Sequence, residues 1–330
     1  MRYSLWFRRL AILGAVLAFT AVVVGAYVRL TDAGLGCPDW PGCYGHLRPA
    51  AAAADVPGQA KYARPFEYGR ALREMQHRYL ASTLGTTIVA LLLIAVLNRR
   101  DPDQPRRLPA VLLVLVALQG ALGRLTVTGL VNPSIVTLHL VGGLATLGVL
   151  LWLALPRPRL GQSPSLKPWA VAAGVLLVAQ IVLGGWTSSN YAGPACPDFP
   201  TCQGRLWPQA DFAQGFNLWP GLGPDYQGGR LPGPARVAIQ ITHRAGAVAA
   251  GAALLLFAVF AIRRGLGPVR VLGCALAAAV ILQWLIGTNL IWRGFPLALG
   301  TAHNAGAATL VVLTLALWRQ IWPGAAPAPP

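Results

Sequence analysis

The chain is poor in charge. Only 11% of its 330 residues are Asp, Glu, Lys or Arg, against roughly 25% in an ordinary soluble domain, and that shortfall excludes a conventional globular fold. Histidine and cysteine are scarce too, at five each, so their positions carry information. The basic excess gives a formal charge of +17, yet its carriers ("NRRDPDQPRR", "PRPR", "IRRGLGPVR", "LWRQ") are short and scattered. No single basic patch is offered to a nucleic acid, and no such partner is expected.

Apolar residues make up 55% of the chain. They fall into eight runs of about 20 residues, the length a helix needs to cross a bilayer: 10–29, 76–97, 109–130, 135–155, 168–187, 237–262, 269–291 and 299–318. Only helices and closed barrels span lipid, and these runs are too long and continuous for barrel strands. The expected fold is an all-α polytopic membrane protein with eight transmembrane helices. The first run, preceded by Arg2, Arg8 and Arg9, looks like a signal peptide. It is longer than a signal core and matches the internal run 168–187, so it is expected to be retained. The short Arg-rich connections mark the cytoplasmic side. Both termini then lie inside, and the two long loops lie outside with eight of the ten acidic residues, leaving Asp101 and Asp103 inside.

Four of the five cysteines sit in those loops, in "LGCPDWPGCYGHLRP" and "PACPDFPTCQGRLWP". The loops align at a constant shift (37 to 196, 43 to 202), with Gly34, Pro38, Asp39, Pro41, Gly45, Leu47 and Pro49 matched and Trp40 replaced by Phe199. "MQHRYLASTLG" pairs with "QITHRAGAVAAG", bringing His77 opposite His243. Gln119, Gly123 and His139 match Gln283, Gly287 and His303. The chain is therefore read as two tandem, pseudo-symmetric four-helix bundles related by an axis along the membrane normal: residues 1–155 and 168–321, joined by a cytoplasmic linker, 156–167, and followed by a flexible tail, 322–330. Cys274, in the seventh run, is read as a small packing residue. His46, opposite Arg205, is read as an exposed loop residue.

His77, His139, His243 and His303 stand 22, 18, 20 and 16 residues before Arg99, Arg157, Arg263 and Arg319, so all four belong at one depth near the outer ends of alternate spans. Ionisable groups inside a span are costly and mark function by default. Two imidazoles facing each other in a bundle are a natural axial pair for haem iron. Zinc fits less well, because no cysteine or extra carboxylate accompanies either pair. Arg78 and Arg244 follow two of the histidines, where they serve either as propionate contacts or as interfacial residues. The halves differ at Glu74, three residues before His77, where the copy has Gln240. A carboxylate on that face either orients His77, stabilises developing positive charge, or pairs with Arg73 or Arg78. The asymmetry makes the N-terminal half the reactive one.

This set resembles the haem A synthase family over nearly the whole chain, from "GAYVRLTDAGLGCPDWPGC" through "EMQHR" and "ITHRAGA" to "TAHNAGA". The resemblance implies a multi-pass enzyme of the bacterial cytoplasmic (inner) membrane that oxidises the C8 methyl group of haem O to the formyl group of haem A, in two hydroxylations followed by loss of water. It implies that His77 and His139 ligate the substrate haem O, that His243 and His303 hold haem b as cofactor, and that Glu74 is functional. A haem O synthase and cytochrome oxidase assembly factors are the protein partners it suggests, with a homo-oligomer left open. A dihaem electron carrier, a transporter of parallel repeats and a quinone-linked thiol oxidase remain as rivals; the last leaves the histidines without a role. The cysteine spacing fits Cys37–Cys43 and Cys196–Cys202 disulfides, closing a lid over each histidine pair. For the first lid, a part in haem transfer or redox chemistry stays open.

Overall fold

A computed structural model describes residues 5–101, 104–156 and 166–322. Arg2, Asp103, Arg157, most of the 156–167 linker and the tail beyond Trp322 lie outside the described residues. Among the described residues eleven α-helices follow in order: α1 (Leu5–Leu30), α2 (Pro49–Ala54), α3 (Val56–Gln59), α4 (Tyr68–Leu97), α5 (Arg107–Thr128), α6 (Pro133–Ala154), α7 (Lys167–Ser189), α8 (Phe212–Gly215), α9 (Gly233–Arg264), α10 (Pro268–Trp292) and α11 (Leu297–Ile321). Eight of them, α1, α4 to α7 and α9 to α11, are long and apolar enough to cross a membrane. The protein is an all-α polytopic membrane protein.

Local sequence explains the helix starts. Proline occupies the first turn of α6, α7, α9 and α10, where its missing N–H would have had no helical acceptor. Asn132 caps α6 by accepting from the Ser134 N–H at 3.0 Å. The helices outrun the apolar stretches that announce them. α4 begins at Tyr68 because its first two turns, "YGRALREM", bury Ala71, Glu74 and Met75 beneath the first cysteine loop. Hydropathy stops at their charges; the helix does not.

The duplication is visible in the packing. Between the halves, α1 packs on α11 as α7 packs on α6, while α6 and α11 meet each other. A two-fold exchange of α1 with α7 and α6 with α11 turns the α1–α11 contact into the α7–α6 contact and leaves the α6–α11 contact on itself. Even the rare left-handed backbone positions repeat: Asp32 with Tyr191, Tyr44 with Gln203, Leu130 with Gly294 and Val131 with Phe295 all have φ between 50° and 69°.

Each bundle packs its apolar core at the end remote from the cysteine loops. Phe7, Ala11, Ile88, Leu91, Leu147 and Leu150 form it in the first half, and Ala173, Leu254, Phe257, Leu276 and Leu317 in the second. Toward the loops the packing opens. None of residues 76–83, 138–143, 241–249 or 301–307 is fully buried, and each stretch contains one of the four span histidines. Cys274, expected to pack inside its span, instead lies exposed on α10, next to the buried Gly273 that makes the helix contact.

Candidate functional site

The four histidines form two pairs. The rings of His77 (α4) and His139 (α6) have centres 6.5 Å apart with planes at 88°. Those of His243 (α9) and His303 (α11) are 6.4 Å apart at 74°. An axial pair on one iron, with a metal–nitrogen bond of about 2 Å on each side, separates ring centres by roughly 6 Å. Among the described residues no three His, Cys, Asp or Glu side chains gather as a metal-ligand set. Two nitrogen ligands alone suit a metal that carries its equatorial ligands with it, and the residues present fit haem iron.

Glycines on the neighbouring helices set the rings in place. Gly25 (α1), Gly123 (α5), Gly184 (α7) and Gly287 (α10) face Cε1 of His77, His139, His243 and His303, and a methyl group there would stand 3.0, 3.5, 3.3 and 3.2 Å away. The sequence reading named Gly123 and Gly287 only as repeat matches and missed Gly25 and Gly184. The repeat shift that pairs Cys37 with Cys196 also pairs these two, and would have found them.

Two amides beside the rings were missed as site residues, one of them noted in the sequence only as a repeat match. Gln180 Nε2 lies 3.0 Å from His243 Nδ1 and donates to the His243 carbonyl at 3.0 Å. Gln283 Nε2 lies 3.3 Å from His303 Nδ1 and donates to that residue's carbonyl at 3.0 Å. In the first half, His77 Nδ1 and His139 Nδ1 are buried with no hydrogen-bond partner.

Above each pair lies a disulfide loop. Cys37–Cys43 and Cys196–Cys202 are both bonded, each with Cα atoms 4.6 Å apart. An aspartate folds each loop: Asp39 accepts from the Tyr44 and Gly45 N–H groups at 2.6 and 2.8 Å, and Asp198 from those of Gln203 and Gly204 at 2.6 and 3.0 Å. Thr201 also donates to Asp198, and these bonds hold its carboxyl below the usual carboxylate range. His46 is only partly exposed, its Nε2 3.0 Å from Asp55 Oδ2, because the short helices α2 and α3 fold back beside the first loop.

The two arginines grip these loops. Arg78 donates to the carbonyls of Asp39 at 2.8 Å and Cys37 at 3.4 Å, and to that of Gly42. Arg244 donates to the carbonyls of Cys196, Asp198 and Thr201 at 3.0, 2.8 and 2.8 Å. Of the two roles read from sequence, propionate contact or interfacial residue, the geometry displays neither directly; both guanidinium groups clamp a lid. Glu74 follows the ion-pair alternative. Its Oε1 meets Arg78 at 2.5 Å and its Oε2 accepts from the Cys37 N–H at 2.8 Å, in a position only 5% exposed. It points to the lid rather than to the His77 ring. In the second half Gln240 is equally buried, and its Oε1 has no partner.

Fold and site together define a two-repeat helical membrane protein with one imidazole pair beneath a disulfide lid in each bundle. The sequence profile of the family described as "Cytochrome oxidase assembly protein" matches residues 8–315. A protein named "Heme A synthase" from Shewanella oneidensis is 37% identical over 326 residues, covering 94% of this chain and 96% of its own. One of the same name from Caulobacter vibrioides is 33% identical over 335 residues, covering 92% and 93%, and one from Rhizorhabdus wittichii is 29% identical, covering 93% and 91%. The chain belongs to the haem A synthase family.

Proposed function

We propose that the protein is a haem A synthase of the cytoplasmic membrane that oxidises the C8 methyl group of haem O to a formyl group. The observation that carries this reading is the duplicated histidine pair whose surroundings differ between the copies, in a chain of this family. In this reading residues 1–155 form the substrate bundle, with His77 and His139 as ligands of haem O, and residues 168–321 form the cofactor bundle, with His243 and His303 as ligands of haem b. Haem b supplies a redox-active iron when bound. The cysteine loops belong on the outer face, because the Arg-rich connections lie at the other end.

The chain's own groups divide the remaining work. The glycines facing the four rings leave each imidazole flush against a helix backbone, which makes room for a flat macrocycle. The lids cover the ends of the pairs and limit water. Glu74 holds negative charge beside the first pair and ties α4 to its lid through Cys37, a coupling that neutral Gln240 does not reproduce. A permanent dihaem electron carrier needs no such difference.

The test is to express the chain with a haem O synthase in cells lacking haem A and to extract the haems. Haem A formation is expected. Protein that holds haem b while no haem A is made overturns the reading.

A further inference from the structure

On three of the four histidine helices, the turn after the histidine begins with a glycine covered by a glutamine from the neighbouring helix. A methyl group on Gly246 would meet Gln180 Oε1 at 2.3 Å, on Gly306 it would meet Gln283 Oε1 at 2.0 Å, and on Gly142 it would meet Gln119 Nε2 at 2.0 Å. Each glycine lies three residues after its histidine. Gln119 is seated like Gln283 but with its amide turned over, so that its oxygen is the end away from the glycine. The fourth corner breaks the pattern. One turn before Gly25 on α1, where α7 has Gln180 before Gly184, stands Ala21, and three residues after His77 stands Leu80 in place of glycine. Ala21 and Leu80 are both too apolar to bond His77 Nδ1, which is buried with no partner.

An imidazole that binds a metal through Nε2 carries its proton on Nδ1, and an acceptor at Nδ1 fixes the ring's orientation and raises its basicity. The buried, unpartnered oxygens of Gln180 and Gln283 turn toward Nδ1 by a half-turn of the amide; Gln119 already has that orientation, although His139 Nδ1, like His77 Nδ1, has no partner in the structure. We propose that residue 21 and its repeat partner Gln180 decide which axial histidine lets go: Gln180 anchors His243 on the cofactor iron, whereas His77 is the ligand that releases the substrate iron and vacates a coordination position. This rests on the haem A synthase reading and assigns Gln180 as a positioning residue. It also meets a difficulty that two-histidine ligation raises, since an iron with both axial positions filled offers no place for a further ligand.

The test reads carbon monoxide binding to the reduced, purified protein, because carbon monoxide needs a vacated axial position. In protein made without a haem O synthase, which would carry haem b alone, Gln180→Ala should raise the carbon monoxide-reactive fraction several-fold. Gln180→Glu, which keeps an acceptor at Nδ1, should leave that fraction low and lower the midpoint potential, a shift that a purely packing role would not produce. In protein made with a haem O synthase, Ala21→Gln combined with Leu80→Gly rebuilds the missing corner and should lower the reactive fraction of haem O several-fold. Wild-type reactivity in Gln180→Ala, or undiminished reactivity of haem O in the double variant, overturns the proposal. These failures differ from failure of the haem A synthase reading, in which the unmodified chain makes no haem A.

Discussion

At the scale of single residues, position 74 separates the two halves most sharply. Glu74 joins a guanidinium and a backbone N–H in a buried setting. Glu74→Gln keeps the shape and one acceptor, but turns an NH2 group toward Arg78, which has only donors. Removing one partner of a buried pair costs about 3–5 kcal/mol, and here less, since Arg78 keeps its loop carbonyls. The variant should therefore fold and bind haem, lose most haem A formation, and exchange the Cys37 amide faster by hydrogen–deuterium exchange. Full haem A formation in Glu74→Gln would remove the role given to the carboxylate. Position 74 stood out in the sequence because its copy is Gln240. Its bonding did not, because helical spacing fixes a face but not a reach: the carboxylate turns to Arg78 one turn on and to an amide 37 residues away.

At the scale of elements, the spanning helices were legible because hydropathy reads burial in lipid directly. Their first turns were not, since "YGRALREM" is buried by protein and keeps its charges. The lids were legible as a repeated motif, but their folding depends on long-range bonds to Arg78 and Arg244 that no local pattern encodes. One consequence is a pH dependence. Asp198 is held below its ordinary pKa of 3.8, first by the Thr201 hydroxyl and then by the loop amides. A depressed carboxyl stabilises the folded loop at pH above the unfolded value, and that contribution fades as pH falls through the lower folded value. Exchange protection of the Gln203 and Gly204 amides should thus persist from neutral pH down to about 4 and decline only below it. Asp198→Asn should abolish this acid dependence; a decline already complete at pH 5 would show that another group controls the loop.

At the scale of the whole molecule, the repeat map predicts two bundles but not how they hold each other, because symmetry-related residues lie far apart in sequence until the axis brings them together. The structure locates that axis. Arg29 donates to the carbonyl of Ser188, and the Tyr191 hydroxyl donates to Asp32 Oδ1 at 2.5 Å, both across a separation of 159 residues, the same shift that relates the two cysteine loops. Arg29 also sits 3.9 Å over the Tyr191 ring, so Arg29 and Tyr191 each make two of these contacts across the axis. Burial pushes the Tyr191 hydroxyl above its ordinary pKa, which keeps it protonated and able to donate across the neutral range. The second long loop reinforces the junction: Asn132 donates to the Gly221 carbonyl at 2.6 Å, and Arg64 to Gln227 Oε1 at 2.7 Å. Near the opposite end, Arg319 of α11 lies 4.6 Å over Trp152 of α6. Tyr191→Phe removes the hydrogen bond to a charged acceptor and leaves the ring under Arg29. Such bonds contribute about 1.5–3 kcal/mol when buried, and less here because the Asp32 side chain is 41% exposed, so a loss of about 1 kcal/mol is expected. Asp32→Ala should cost a similar amount, and the double variant little more than either, giving a coupling near that value in a double-mutant cycle of thermal unfolding in detergent. Additive losses would mean that the two side chains act independently, and that the halves are held by helix packing rather than by this clasp on the axis.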